Sequence, residues 1–224
     1  MPRYRHEWKH ELSLSDCMAV RGRLRAVAGP DRHAVDGRYR IRSLYFDDLA
    51  DKALREKLDG VDRREKFRIR LYNGDPSLIH LEKKSRRGGL GTKAVAELSA
   101  AEAQAIVDGD IGWMPGSGRP LVQELYYKMR VQGLRPRTIV DYTREPFVYA
   151  PGNVRVTLDY DVRTGLGCTR LLDPDCPTIP AGGPAAILEV KWDAFLPDVI
   201  RDAVQLEGRR TCAFSKYAAC RIYG

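Results

Sequence analysis

Six stretches of the chain alternate polar and apolar residues with a period of two, which is the pattern of a half-buried β-strand. In KFRIRLY, at residues 66–72, the apolar Phe67, Ile69 and Leu71 fall on one face and three cations fall on the other. Similar alternation occurs at residues 5–12, 78–84, 138–144, 154–160 and 187–192. We expect each stretch to be a strand with one buried face.

The polar faces of these strands carry long charged residues at their centres, and cations outnumber carboxylates. For a single strand, a charged face in contact with water is the ordinary explanation. Like charges that face each other across strands destabilise a sheet unless an anion lies between them. A closed antiparallel β-barrel with a cationic interior explains all the strands together. We therefore expect an α+β fold in which helices pack on the apolar outside of the barrel.

The sequence predicts four helices, the first three from helix-end signals. They are a helix capped by Ser13 or Ser15 and ended by Gly29, a short helix opened by the Ser99–Glu102 capping box and ended by Gly109, a helix from Pro120 to Gln132, and a segment at about 209–221. Stretches rich in Gly and Pro between the elements predict loops.

The 224 residues carry 38 Lys and Arg against 30 Asp and Glu, which gives a formal net charge of +8. With 43% hydrophobic residues the chain can bury a core, and we expect residues 1–224 to form a single domain. No run approaches the ~18 apolar residues of a membrane-spanning helix, and the first residues lack the apolar segment of a signal peptide. We expect a soluble, cytoplasmic protein whose partner is anionic. Five cysteines without a CxxC pair argue against a zinc ribbon or a thioredoxin-like site.

Nine short motifs follow one another along almost the whole chain. They are RHEWKHEL (5–12), IRSLYFDD (41–48), KFRIRLYNG (66–74), LEKK (81–84), GTKAV (91–95), DYTREPF (141–147), VRVTLD (154–159), ILEVKW (187–192) and SKY (215–217). In this order they resemble the polyphosphate-polymerase domain of the vacuolar transporter chaperone (VTC) family, one of the triphosphate tunnel metalloenzymes. The resemblance implies an antiparallel tunnel of about eight strands, in agreement with the barrel.

The resemblance also implies roles for individual residues. Lys9, Arg68 and Arg70 match catalytic cations that stabilise the transferring phosphate, and Glu189 matches a metal-binding glutamate. Substrate binding is implied for Lys84, Lys93, Tyr142, Arg144 and Lys216, and strand alternation adds Arg155 and Lys191 to the same interior. Lys83 is an alternative to Lys84, but Lys84 shares its face with Glu82.

The implied reaction transfers the γ-phosphate of ATP to a growing inorganic polyphosphate chain. Mn²⁺ or Mg²⁺ would be held by Glu189 and by phosphate oxygens. The nucleophile is an ionised phosphate, so the reaction requires positioning and charge neutralisation but no general base. Whether the protein has a membrane protein partner at the inner membrane stays an open question. A nucleic-acid partner is not expected, because the cations alternate with the strand period and do not cluster.

Two other functions remain open, a tunnel-type tripolyphosphatase or nucleoside triphosphatase and a non-catalytic module that binds polyphosphate or nucleotide. The hydrolytic relatives begin with a Glu-x-Glu-x-Lys strand, whereas this chain has Arg5, Glu7 and Lys9 at those positions. The change replaces a metal ligand with a cation and disfavours a two-metal hydrolase. The chain also lacks the sensing domain and membrane segment of the eukaryotic complexes, so it resembles a stand-alone, bacterial-type domain. Glu82 is either a metal ligand or, as we favour, an ion-pair partner that orients Lys84 or an arginine.

Overall fold

The structure is a computed structural model that describes residues 5–88, 90–208 and 211–222. Within these residues the strands are β1 (His6–Leu12), β2 (Gly29–Pro30), β3 (Tyr39–Asp47), β4 (Arg64–Tyr72), β5 (Asp75–Arg87), β6 (Leu90–Leu98), β7 (Arg135–Tyr149), β8 (Val154–Thr164), β9 (Ile179–Pro180) and β10 (Ala186–Trp192). The helices are α1 (Leu14–Val27), α2 (Lys52–Leu58), α3 (Ala100–Asp108), α4 (Pro120–Gln132), α5 (Asp198–Val204) and α6 (Lys216–Ala219).

One antiparallel sheet organises the chain. Its strands run in the order β1-β10-β8-β7-β3-β4-β5-β6, with the short β2 paired to β7 and β9 to β8. Register shifts at Tyr45/Phe46 in β3 and at Asp141/Thr143 in β7 interrupt the ladders in the middle of the sheet. Such bulges bend a strand and increase its twist, and the sheet curls into a half-barrel.

The prediction of a closed barrel is wrong, although the α+β class and the antiparallel sheet are confirmed. Strands β1 and β6 are the two ends of the sheet and do not pair with each other in the described part of the chain. Other groups bind their free edges. The backbone N–H of Cys212 donates to the carbonyl oxygen of Lys9 at 2.8 Å, and Arg119 donates to the carbonyl oxygen of Glu97 at 2.6 Å. These contacts satisfy edge groups that closure of a barrel would otherwise use.

The convex face of the sheet is apolar and carries four of the helices. Helices α3 and α4 cover a cluster that includes Leu44, Ile69 and Leu81, all fully buried. Helices α1 and α5 cover a second cluster around Leu158 and Leu188 on β8 and β10. The period-two alternation therefore directs the apolar half of each strand to the helices and the charged half to the concave face.

Three of the four predicted helices form as expected. Ser13 caps α1 and Ser99 caps α3, each through a complete capping box, while Gly133 ends α4 with a positive φ of 67°. The predicted segment 209–221 is helical only over α6, and residues 209–210 lie outside the described part. Helices α2 and α5 were not predicted.

Helix α6 lies on the concave side, unlike the four helices outside. Tyr217 of α6 is buried and stacks on Tyr45 of β3, with ring centroids 4.9 Å apart. Its hydroxyl donates to Asp47 at 2.7 Å and accepts from Arg221 at 2.8 Å. The chain's C-terminal segment thus covers part of the charged face. No helix in the described part of the chain has the length and apolar character required to span a bilayer.

Candidate functional site: a cationic groove

The concave face forms a groove, which we define by the inward side chains of β1, β3–β8 and β10. Its position follows from the register of neighbouring strands. On β4, Phe67 and Ile69 are buried against the helices, so Arg68 and Arg70 point inward. The ladder places Arg68 opposite both Tyr45 and Glu82. On the other side of the sheet, Lys9 lies opposite Glu189. Two groups of ion pairs follow from this arrangement.

The first group surrounds Glu189, which is only 6% exposed. Its carboxylate lies 3.2 Å from Nζ of Lys9, 3.0 Å from Nζ of Lys191 and 3.5 Å from Nη2 of Arg144. Lys191 also contacts Glu7 at 3.2 Å, and Lys9 lies 3.6 Å from the same carboxylate. Three cations therefore converge on one buried carboxylate, and a second carboxylate lies beside them.

The charges of this group stabilise one another. Burial alone would raise the pKa of Glu189, but the ammonium groups of Lys191 and Lys9 hold it well below its usual range. Burial alone would lower the pKa of Lys9, but the carboxylates of Glu189 and Glu7 raise it above its ordinary value. Both residues are therefore charged at neutral pH.

Asp159 extends this group towards α6. It is fully buried and accepts two hydrogen bonds from Arg144, both at 2.6 Å, and one from Lys216 at 2.6 Å. The ammonium of Lys216 also lies 4.7 Å from the ring centroid of Tyr142, and the guanidinium of Arg144 lies 5.5 Å from it. Tyr142 therefore presents a ring between two cations, an arrangement that stabilises both.

The second group surrounds Glu82, a fully buried carboxylate on β5. It lies 2.5 Å from Arg68 Nη2, 2.5 Å from Lys93 and 4.0 Å from Arg70. Arg70 in turn donates to the hydroxyls of Ser43 and Tyr142, both at 3.0 Å. The bond to Tyr142 connects the two groups of ion pairs across β3. Glu82 therefore makes the ion pairs we favoured, with Arg68 as its arginine.

Tyr45 is the second partner of Arg68. Its hydroxyl accepts a hydrogen bond from Arg68 Nη1 at 2.7 Å, and the ammonium of Lys66 lies 5.6 Å from its ring centroid. Burial alone would raise the pKa of this phenol, but the positive charges of Arg68, Lys66 and Arg70 lower it to about 7. The site thus contains a phenol that titrates near neutral pH.

Lys84 points into the groove, and Lys83 points away from it. Lys83 lies on the convex side, where it forms an ion pair with Glu124 and another with Glu65 at 3.5 Å. Lys84 has no ion pair among the described residues, and its pKa is well below the ordinary value because of burial and the charges of Arg68 and Lys191. An anion in the groove would supply the missing partner.

Arg155 is the predicted site residue whose contacts lie outside the two groups of ion pairs. It lies on the groove side of β8, but it forms an ion pair with Asp31 at 3.0 Å and a hydrogen bond with the hydroxyl of Tyr39. The structure brings the remaining candidates together, namely Lys9, Arg68, Arg70, Lys84, Lys93, Tyr142, Arg144, Glu189, Lys191 and Lys216. Their roles stay predictions.

Sequence reasoning assigned no role to Tyr45 or to Asp159, although both belong to the site. Alternation along β3 would have placed Tyr45 on the groove face, because its neighbours Leu44 and Phe46 are buried on the other face. Asp159 shares its face with Arg155 and Thr157 in the motif VRVTLD. The strand period could therefore have placed both side chains on the groove face. It could not have shown their contacts, because their partners lie on other elements.

A divalent cation would find a sparse set of protein ligands in this groove. No group of three or more His, Cys, Asp or Glu side chains suited to a metal occurs among the described residues. Glu189 and Glu7, which share Lys191, provide carboxylate oxygens. Mg²⁺ and similar hard cations accept one or two carboxylates when phosphates and waters complete the coordination. The residues therefore fit a metal that arrives with a phosphate ligand.

An antiparallel sheet with one helix-covered face and one cationic groove defines a class of anion-binding protein. Residues 4–222 match the VTC domain family, so the chain belongs to that family. Membership indicates a triphosphate-binding protein of the tunnel type. No curated protein sequence matches the chain.

Several solved structures are similar to this chain. They include the PH1819 protein of Pyrococcus horikoshii (16% identity, TM-score 0.45, 90% of this chain and 84% of that one), a candidate adenylate cyclase of Bacillus halodurans (13%, 0.47, 84% and 80%) and a candidate adenylate cyclase of Vibrio parahaemolyticus (9%, 0.49, 90% and 83%). These similarities are too distant to indicate an activity.

Proposed function

We propose that this protein is a polyphosphate polymerase, which transfers the γ-phosphate of ATP to the end of an inorganic polyphosphate chain. One observation carries the proposal: the groove gathers more cations than its carboxylates neutralise. Lys84 and Lys66 form no ion pair among the described residues, and burial and neighbouring cations lower the pKa of both. Like charges that face each other on neighbouring strands destabilise a sheet, and a bound anion would offset their repulsion. A chain of phosphates would do so along several strands at once.

The reaction joins two phosphates and needs little covalent help from the protein. A terminal oxygen of the polymer forms a bond to the γ-phosphorus, the bond from that phosphorus to the β–γ bridging oxygen breaks, and ADP leaves. Lys9, Arg68 and Arg70 stabilise the negative charge on the transferring group. Their positions are held beforehand by Glu189, Glu82 and Ser43, which reduces the reorganisation that binding would require.

Substrate binding is assigned to the cations around this centre. Lys84, Lys93 and Lys191 reach phosphates from two sides of the groove, while Arg144, Lys216 and Tyr142 form the wall next to α6. Arg155 would contact substrate only after its ion pair with Asp31 opens. Mn²⁺ or Mg²⁺, held by Glu189 with Glu7 beside it, would neutralise phosphate charge and orient the chain.

Polymerase is preferred to hydrolase because of the start of β1. Arg5 occupies the position of the first carboxylate in the hydrolytic relatives, and its side chain forms an ion pair with Asp193 at 2.8 Å. Among the carboxylates left on this side in the described residues, Glu7 and Glu189 contact lysines, and Asp159 is bound by Arg144 and Lys216. A second metal would lack a ligand there.

Incubation of the purified protein with ATP and Mn²⁺ tests the proposal, with ADP, polymer and free phosphate followed together. We expect one ADP for each phosphate incorporated into polymer. Both products should be lost in Glu189→Ala and Arg70→Ala. Arg130→Ala, an exposed position on α4, is the control and should retain full activity. Free phosphate without polymer would indicate a hydrolase, and binding without turnover would indicate a binding module.

A further inference from the structure

Two successive like-charged pairs face each other where β4 begins and β5 ends. The ladder sets Arg64 opposite Arg86 and Lys66 opposite Lys84. Strand alternation places all four on the groove face, in line with Arg68. None of the four forms an ion pair with a carboxylate in the described ranges. Like charges directly opposite each other destabilise a sheet. An external anion bound at this end of the groove would offset their repulsion.

Lys57 adds a further cation from outside the sheet. It lies near the end of α2, and burial together with the charges of Arg64, Lys9 and Arg86 lowers its pKa. Helix α2 contacts β4, so Lys57 lies beside the start of β4, at the mouth between the two sides of the half-barrel. The mouth is thus lined by Lys57, Arg64 and Arg86, which we name the mouth cations.

The row of cations is longer than a triphosphate. Arg70, Arg68, Lys66 and Arg64 occupy alternate positions of one strand, so the row extends over residues 64–70, or about 20 Å at a rise of about 3.3 Å per residue. A triphosphate bound at Arg68 and Arg70 would leave Arg64 and its neighbours without a partner. The geometry fits a linear polyanion that continues past the triphosphate site.

The chemistry of the mouth distinguishes inorganic polyphosphate from nucleic acid. Proteins that bind single-stranded nucleic acid stack its bases on aromatic side chains. In the described part of the chain, no aromatic ring lies against a mouth cation. The aromatic rings of the groove lie deeper than the mouth. Tyr45 lies against Lys66 and Arg68, Tyr142 lies against Arg144 and Lys216, and Tyr72 lies at the opposite end of β4.

We propose that Lys57, Arg64 and Arg86 form a separate subsite for the distal part of an inorganic polyphosphate chain, whose terminal phosphates lie at Arg68 and Arg70. The proposal rests on the proposed function and deepens it, because it assigns one end of the groove to the polymer. The subsite binds chains longer than a triphosphate and makes no contact with the triphosphate itself.

Binding of two probes tests the subsite, tripolyphosphate and a long-chain polyphosphate, each measured by calorimetry at several salt concentrations. In Arg64→Gln/Arg86→Gln we expect the affinity for long chains to fall about tenfold, while that for tripolyphosphate changes less than about twofold. The slope of log Kd against log salt should fall by about 1 to 1.5 for long chains only, by analogy with single-stranded nucleic acids. Arg87→Gln, on the other face of β5, removes one charge and should change neither affinity.

Unfolding of the ligand-free protein separates a binding role from a structural one. Because Arg64 and Arg86 oppose each other, the double variant should be at least as stable as the wild type, and Arg64→Lys/Arg86→Lys should restore long-chain binding. Equal losses for both probes, or none, would overturn the subsite while the proposed function stands. Competition by oligothymidylate as strong as by polyphosphate would overturn it in favour of nucleic acid. Failure of the wild type to bind either probe would refute the proposed function itself.

Discussion

Replacement of Glu82 by glutamine gives the sharpest test of how the groove is held together. The wild-type carboxylate is fully buried, lies 2.5 Å from both Arg68 and Lys93, and balances part of the charge of Arg70. Removal of one partner from a buried ion pair costs about 3–5 kcal/mol. Glutamine keeps the volume and one acceptor oxygen, so we expect about 3 kcal/mol. For 224 residues, that corresponds to a fall in Tm of about 6–12 °C.

Thermal unfolding with and without tripolyphosphate measures this effect. The ligand should stabilise Glu82→Gln more than the wild type, because a phosphate replaces the missing negative charge. Glu97→Gln is the matched control on the adjacent strand, since Glu97 is exposed and forms no ion pair in the described ranges. Wild-type stability in Glu82→Gln, accompanied by loss of Mn²⁺ binding, would refute the ion-pair role and make Glu82 a metal ligand.

The pH dependence of stability provides a second readout for the same residue. Burial alone would raise the pKa of Glu82, but Arg68, Arg70 and Lys93 hold it far below its usual range. The ionised carboxylate therefore stabilises the folded state fully above the unfolded pKa of about 4.5, and this contribution is lost progressively as the pH falls below that value. Glu82→Gln should lack this part of the acid dependence, and an unchanged acid profile would contradict the assignment.

Two further predictions concern the groove. Lys84→Gln should abolish ATP-dependent polymer formation while Lys83→Gln retains it, because the two side chains lie on opposite faces of β5; equal losses in a polymer assay would contradict that assignment. One tyrosine should ionise near pH 7, with the charges of Arg68 and Lys66 as the cause. Ultraviolet absorbance should show this step in the wild type and not in Tyr45→Phe, and a first tyrosinate signal only near the ordinary pKa of about 10 would refute it.

Strand alternation predicted much of the fold because it is a local signal. A residue's face depends only on its parity within the strand, so the inward positions of Arg68, Lys84 and Glu189 followed from the sequence. Closure of the barrel did not follow, because it depends on pairing between β1 and β6, which lie far apart in the chain. Cys212 and Arg119, which donate hydrogen bonds to the free edges, are also far in sequence from the strands they contact.

The two missed helices lacked local start signals. Asp51 at the start of α2 makes no side-chain cap, and the carboxylate of Asp47 accepts from the backbone N–H groups of Ala53 and Leu54 instead. Helix α5 begins after Pro197 with no side-chain cap. Both helices are stabilised by partners outside their own sequence, which local propensity does not record.

The site shows the same division between local and long-range information. The parity of residue 155 within β8 predicts that Arg155 faces the interior. Its side chain instead contacts Asp31 and Tyr39, which come from elsewhere in the chain. The role of Asp159 became apparent only once Arg144 and Lys216 were found on the same carboxylate. Sequence therefore predicted which side chains face the groove, and three-dimensional structure was required to say what each contacts.

The most direct test of the polymerase proposal follows the label from ATP carrying isotopic phosphorus at either the α or the γ position. With Mn²⁺ present, we expect γ-label in acid-precipitable polymer, one ADP for each phosphate incorporated, and no α-label in the polymer. The Arg70→Ala protein should give neither product. Appearance of γ-label only as free phosphate, or of no label beyond bound ATP, would contradict the central claim of phosphate transfer to a polymer.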